Sequence, residues 1–589
     1  MNSIRAFRDQ LLEYLETQKK LEEQDIEANR RLSDEEKVEA GLLLKDARVI
    51  KVLGHQYVLS TVDDNTKLRV GDGVSCLSSG ISFSAKIIDL GLGTVTIESS
   101  MDLVKGEMLD IEVKQFMLLD PMISLMQNVD DGKPGASFLA MLSKQETPAD
   151  KGLGAINANL VTTIPDSHNE RQLEVIRDVL KRPSVYCIQG PPGTGKTAVL
   201  ATIAHTFCRQ RKEVLVIANT HQAVNNALNK IMGKEKDLRV VKIGEPIKSE
   251  GLECGIINAA TYNEYLKLRK NAAHPASADV VGMTLHAAVV NLGLRNTGFQ
   301  PKVVLVDEAG QMPMVYASLI GAFGSGSIVF IGDDRQMPPI YHPRLVAHPL
   351  SRSIFEYLCH LYPQLRHTLN VTYRMNEEIT RFVSRCFYEP LGKEFRIVSS
   401  EYSRGRKFPI KNLTIPEGDD GLIIKTNLES GQSIVLVEQP TETDSEYTDS
   451  NPFEANTAIK YATAALDGGV DVSDIAIITP YRKQVKMFVS NWTSHYDMPL
   501  INTVECLQGQ DVELIVISFA AADPTFVRQQ IGFILDAHRL NVMISRAKTK
   551  VVMIMSSEVK KEFLAKWGNY ISSPEILPST VSGPVCRGR

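Results

Sequence analysis

The chain has 589 residues, 43% of them hydrophobic and 23% charged, with a formal net charge of −5. That length is too great for one hydrophobic core and predicts roughly three to five domains. The mild negative charge excludes a globally basic nucleic-acid binder. Any such contact must come from a local groove, since fields fade over a Debye length of about 8 Å. Eight cysteines occur without a C-x-x-C pair, and twelve histidines without an H-E-x-x-H pattern. This spacing argues against a zinc site and against a disulfide framework. The N-terminal MNSIRAFRDQ lacks an apolar signal core, and no run of about 18 apolar residues occurs, which predicts a cytoplasmic chain without a membrane segment.

In chain order, residues 4–31 carry Phe7, Leu11, Tyr14 and Leu15 at helical spacing. This pattern reads as an amphipathic helix packed on its own protein, with a partner-binding coiled coil as the alternative. Ser33 and Glu36 form a capping box for a second helix. From 47 to 117, short alternating segments (RVIKVLG, QYVLSTV, GVSCLSS, TVTIESS) are separated by DDNT, GDG and GLG turns, the texture of a small β-barrel. Residues 118–150 look helical again and then become a linker, so the barrel is expected on a helical stalk formed with residues 1–46. From 151 to 345 the near-continuous apolar runs SVYCIQG, VLVIANT, VVGMT, KVVLVDE and SIVFIGD read as parallel strands buried on both faces. A second set, SIVLVEQ, DIAIITP, ELIVISF and KVVMIMS, places another α/β domain at 346–570, followed by a loosely ordered tail at 571–589.

GPPGTGKT at 190–197 fits G-x-x-x-x-G-K-[ST], between a strand and a helix. In that pattern Gly190, Pro191, Pro192, Gly193, Thr194 and Gly195 form a turn whose amides point at phosphates. Lys196 reaches the β and γ phosphates, and Thr197 offers a hydroxyl to Mg²⁺. Asp307, at the end of KVVLVDEAGQ, is the expected second Mg²⁺ ligand, and Glu308 the group that polarises water. Gln336 in FIGDDRQMPP can orient water or touch the γ-phosphate. Together these residues predict an NTP hydrolase.

The ordered set GPPGTGKT, VLVDEAGQ, GDDRQMPP, TYRMN, TVECLQGQD and HRLNVMISRAK resembles superfamily 1 helicases. Within them it is most similar to the group of the nonsense-mediated-decay helicase, without that group's zinc-rich N-terminal domain. The resemblance implies two RecA-like motor domains that use Mg-ATP at the cleft between them. It also implies movement along single-stranded DNA or RNA, 5′ to 3′. It assigns Gln172 to the adenine edge, Tyr373 to stacking on the base and Arg374 and Arg546 to the γ-phosphate as arginine fingers. Asp511 falls where the family usually has a glutamate at the ribose. Nucleic-acid contacts by motif match are Asn219, Thr220, His221, Thr284, Thr479, Tyr481 and Thr503; Arg482 and Lys483 could add charge. The helices or barrel could also take a protein partner. The alternative is a nucleotide-gated binding or remodelling protein that does not separate strands.

Overall fold

The computed structural model describes residues 2–571, except 62–67, 69–71, 92, 114–118, 130–134, 145, 149–167, 182–183, 236–237, 250, 262–263, 266, 268–278, 291–298, 300, 324–325, 412, 417, 419, 440–445 and 508–509. Nearly all of the expected tail and much of the linker before 168 therefore lie outside the described residues. The chain divides into two compact units. The first comprises Met1–Cys187, Thr197–Ile331 and Pro339–Leu365; the second comprises Ile188–Lys196, Gly332–Pro338 and Arg366–Arg589. The phosphate-binding turn and the GDDRQMP segment thus group with the second unit, away from most of the sequence around them.

In the first unit, α1 (Asn2–Arg30) buries the face read from the sequence: Phe7, Leu11, Tyr14 and Leu15 join the core of the first α/β domain. Polar contacts seat the rest of the helix. Tyr14 Oη meets Ser351 Oγ at 2.9 Å, Gln18 Nε2 donates to Tyr316 Oη at 2.5 Å, and Lys19 pairs with Asp120 at 2.7 Å. The helix packs on its own protein. The short helix α2 (Asp34–Glu39) has the expected capping box, with Ser33 Oγ accepting from Glu36 N and Glu36 Oε2 accepting from Ser33 N.

The barrel is closed by six strands: β1 (Leu43–Leu53), β2 (Gln56–Ser60), β3 (Gly73–Ser78), β4 (Ile81–Gly91), β5 (Thr94–Glu98) and β6 (Met108–Val113), in the order β1-β2-β5-β4-β3-β6. Sequence patterning found β1, β2, β3 and β5. It left β4 and β6 unnamed, because their apolar residues are interrupted by Lys86 and Asp89 and by Asp110 and Glu112. Alternate residues such as Val74, Cys76, Ile87, Ile97 and Ile111 fill the interior.

The first open sheet contains β7 (Val185–Gln189), β8 (Val214–Ala218), β9 (Arg239–Ile243), β10 (Ile257–Ala259), β11 (Asp279–Thr284), β12 (Val303–Val306) and β13 (Ser327–Gly332). They run in the order β10-β9-β11-β8-β12-β13-β7. Val214–Ala218 and Val303–Val306 are buried throughout, as strands covered on both faces must be. In the second unit, three short strands, β14 (Arg366–Thr368), β15 (Val371–Thr372) and β16 (Val398–Ser399), precede the second sheet. That sheet consists of β17 (Ile434–Glu438), β18 (Ile475–Thr479), β19 (Leu500–Thr503), β20 (Val512–Ser518) and β21 (Ala547–Met555). It is all parallel, in the order β17-β21-β20-β18-β19. Cys76, Cys187, Cys208 and Cys359 are buried as small apolar side chains. Among the described residues no helix is long and apolar enough to cross a membrane.

Candidate functional site

The turn after β7 is built so that backbone faces its interior. A Cβ on Gly190 would lie 2.0 Å from Cγ of Lys196, so only glycine lets the lysine stem pass. Gly193 has φ +72°, and a Cβ there would lie 2.5 Å from Thr372 Oγ1 and 2.6 Å from Cβ of Arg374. Thr194 Oγ1 donates to Pro191 O at 2.7 Å, and Lys196 Nζ to Gly190 O at 2.5 Å. The helix Lys196–Arg209 begins directly at this turn, so its free N-terminal amides and the positive end of its dipole add to the cradle.

TYRMN is fastened to that turn. Thr372 Oγ1 donates to Pro192 O at 2.9 Å, and Tyr373 N to Gly193 O at 2.9 Å. Tyr373 is 38% exposed. Arg374 donates from Nη1 to Ser545 O at 2.9 Å, and its Nη2 pairs with Asp511 Oδ1 at 2.6 Å. Asp511, expected at a ribose, is here the partner of Arg374. Arg546 is buried and ends the helix Ala537–Ser545.

Behind the turn lies a polar network that sequence reasoning missed. Asp333 Oδ2 accepts from Tyr388 Oη at 2.5 Å and from Gln336 Nε2 at 2.6 Å, while Oδ1 accepts from Arg335 N at 3.1 Å. Burial pushes the Asp333 carboxyl above the usual carboxylate range, against the pull of Lys196, Tyr388 and Gln336. Asp334 pairs with Arg366 Nη2 at 2.9 Å and accepts from Gln189 Nε2 at 3.1 Å. Gln189, directly before the phosphate-binding turn, also accepts from Thr368 Oγ1 at 3.1 Å. The only local signal was the pair of acids in GDDRQ; Arg366, Tyr388 and Asn541 are brought in by the fold.

In the first unit, Asp307 is buried just past β12, its amide bonded to Ile217 O at 2.8 Å and its Oδ1 accepting from Glu308 N at 3.0 Å. Glu308 has φ +52°, a left-handed backbone that costs a non-glycine residue about 1–2 kcal/mol. Such strain at the end of a buried strand marks a position that folding alone would not choose. Gln172 is buried. Its Oε1 accepts from Asn169 N at 3.0 Å in a capping box and lies 3.3 Å from His168 Nδ1, so its amide oxygen already serves the helix start.

The strand-end residues gather by register. Thr284 pairs with Ala218 across β11 and β8, which brings Asn219, Thr220 and His221 beside Thr284 at the C-terminal ends of these two interior strands. Thr220 Oγ1 caps the helix His221–Met232, and Thr284 Oγ1 accepts from Ala287 N. The ring of His221 is pushed down to about 4 by burial and by Lys242 and Lys248. In the second sheet, Thr479 and Thr503 pair across β18 and β19. Tyr481 lies elsewhere than a free surface ring would: it packs 5.6 Å from Phe533 and 6.2 Å from Phe526, and burial pushes its hydroxyl up to about 12. Lys483 pairs with Asp449 at 2.8 Å.

A glycine turn between strand and helix and a second, all-parallel sheet with its own helices define a P-loop α/β protein with two RecA-like domains. Family models described as "AAA domain" match residues 167–270 and 350–558. The chain is 29% identical over 410 residues to the DNA replication ATP-dependent helicase/nuclease dna2 of Schizosaccharomyces pombe, covering 66% of this chain and 28% of that protein. It is 27% identical over 462 residues to a regulator of nonsense transcripts 1 homolog of Arabidopsis thaliana, covering 71% and 35%. It is 27% identical over 447 residues to the ATP-dependent helicase upf1 of Schizosaccharomyces pombe, covering 68% and 46%. The chain therefore spans less than half the length of each of these three relatives. These similarities support a superfamily 1 helicase of the group of the nonsense-mediated-decay helicase.

Proposed function

We propose that the chain is an ATP-dependent helicase or translocase. On this reading it hydrolyses Mg-ATP at the P-loop and moves along single-stranded DNA or RNA from 5′ to 3′. The observation that carries this reading is the fastening of TYRMN to the phosphate-binding turn through Thr372 and Tyr373. A nucleotide-sensing turn that shares hydrogen bonds with the segment bearing Arg374 can pass its state to the second sheet. A metabolite kinase would have no use for that arrangement.

The cradle suits a polyphosphate, because it sets the Lys196 ammonium and the N-terminal amides of the helix Lys196–Arg209 at one glycine turn. Lys196 exchanges Gly190 O for β- and γ-phosphate oxygens. Thr197 and Asp307, a hydroxyl and a carboxylate, are the hard oxygen donors that Mg²⁺ prefers, and the ion supplies charge neutralisation on the phosphates. Glu308 draws a proton from the attacking water, and Gln336 orients that water. Arg546 offers a planar fork to the charge that develops on the transferred phosphoryl group; Arg374 does the same once it leaves Asp511. Tyr373 stacks on the base. Gln172 reads the adenine edge, turning its amide from the cap, and Asp511, released by Arg374, reaches the ribose.

Asn219, Thr220, His221 and Thr284 in the first unit, and Thr479 and Thr503 in the second, hold the strand through its backbone. His221, neutral at pH 7, contributes a hydrogen bond and no charge. Tyr481 shapes its loop through Phe526 and Phe533, a role we favour over the strand contact that the motif match assigns it. A protein partner would meet the barrel, where Ile50, Val52, Leu53, Leu77, Ile81 and Met108 are exposed, since the apolar face of α1 is already covered.

The test is ATPase activity with and without single-stranded DNA or RNA. Stimulation by strands is expected, together with a loss of about 10²–10³-fold in Lys196→Ala, the scale for removing one preorganised donor. Turnover indifferent to both kinds of strand would refute the reading.

A further inference from the structure

Tyr388 has no part in the chemistry above, yet it sits at the centre of the buried network of the second unit. It ends a π-helical turn, Ser384–Tyr388, a local widening that often serves function. Its hydroxyl donates to Asp333 Oδ2 at 2.5 Å and accepts from Asn541 Nδ2 at 3.0 Å. Asn541 Nδ2 also donates to Arg335 O at 2.7 Å. Asn541 lies on the helix Ala537–Ser545, whose C-terminal cap is Arg546. On the other side, Asp333 Oδ2 holds Gln336 Nε2 at 2.6 Å.

The chemistry of this junction is specific. Between a carboxylate oxygen and an amide NH₂, the group required must donate on one side and accept on the other. A hydroxyl does both with one atom, whereas an amine or guanidinium can only donate. Without that hydroxyl, Asp333 would keep a buried carboxylate short of its shortest donor, and Asn541 would lose an acceptor, each costly in a dry site. The ring itself packs in the core of the second unit, so phenylalanine keeps the volume.

We infer that Tyr388 is a positioning residue: through Asp333 and Asn541 it holds the water-orienting Gln336 and the helix bearing Arg546 in one register. The role rests on the ATP-hydrolysis reading, because Gln336 and Arg546 act on the same phosphoryl group in it.

The test uses the full chain with Tyr388→Phe, alone and in a Gln336→Ala background. The single variant should lose about tenfold in kcat with KM for ATP changed less than about twofold, the pattern of misplacement without lost binding. In the Gln336→Ala background the same substitution should cost clearly less than in the wild type, because only the arm through Asn541 to Arg546 is then left to lose. Equal fold-losses in both backgrounds would overturn the inference. Hydrogen exchange provides an arm that needs no turnover: segments 333–338 and 537–546 should both exchange faster in Tyr388→Phe, and unchanged exchange in either would overturn it. If that variant misfolds, Asn541→Leu should give the same kcat-against-KM split, and a normal kcat there would be contrary. A wild-type chain without ATPase would end the hydrolysis reading, and the exchange arm would still decide whether Tyr388 ties the two segments.

Discussion

The phosphate-binding turn and the Asp333 network lie within one unit and differ in how they are made. The turn is six consecutive residues, Gly190–Gly195, whose shape follows from its three glycines and from the helix that begins at Lys196. The network joins Asp333 to Tyr388, 55 positions away, and Tyr388 to Asn541, 153 positions away. The first is local backbone geometry and can be written into a short motif. The second is a set of buried hydrogen bonds that exists only once the chain has folded. A phosphate-binding turn can therefore be encoded locally, while a buried network of this kind depends on long-range order.

Substitutions on the two sides of this contrast should differ in kind. The largest effect is expected for Arg546→Ala, since an arginine finger is worth about 10³–10⁵ in rate. A rapid-quench ATPase assay should show that loss while nucleotide affinity stays within severalfold; a loss confined to affinity would place Arg546 outside the reaction. Gly193→Ala comes next and should strike the turn itself. The new Cβ would meet Thr372 Oγ1 at 2.5 Å with φ at +72°. Titration with a fluorescent ATP analogue should show affinity lowered more than about tenfold, with about 1–2 kcal/mol of backbone strain added. Normal affinity would mean that the turn and TYRMN are not fastened together.

Smaller effects belong to the strand-end residues. Thr220→Ala removes the cap of the helix His221–Met232 and should cost about 1 kcal/mol in denaturant unfolding. If Thr220 also binds the strand, single-strand affinity should fall by more than this loss of stability explains. His221 gives the smallest effect and the clearest sign. Its folded value of about 4 lies below the ordinary histidine value of 6.5, so between the two the unfolded chain binds a proton that the folded chain refuses. Stability is therefore retained above pH 6.5 and falls as pH drops towards 4. His221→Asn should flatten that part of the melting-temperature profile, and an unaltered slope would contradict the burial of the ring.

How much was legible in the sequence follows the same division. The helical face of Phe7, Leu11, Tyr14 and Leu15, the Ser33 capping box and the buried parallel strands could be read because each depends on spacing within a few residues. Strands β4 and β6 of the barrel escaped because charged residues on their outer faces broke the apolar pattern. The Arg374–Asp511 pair, the aromatic packing of Tyr481 and the capping role of Gln172 were hidden for another reason. A motif names a residue's partner in the working state, whereas the folded chain satisfies each side chain with what is at hand. Arg366, Tyr388 and Asn541 had no local signature at all.

Strand separation on forked substrates with a 5′ or a 3′ tail, in DNA and in RNA, addresses the motor most directly. Separation of a 5′-tailed fork is expected, requiring ATP and abolished by Lys196→Ala. ATP turnover without separation of any of the four substrates would show a nucleotide-gated binding protein instead.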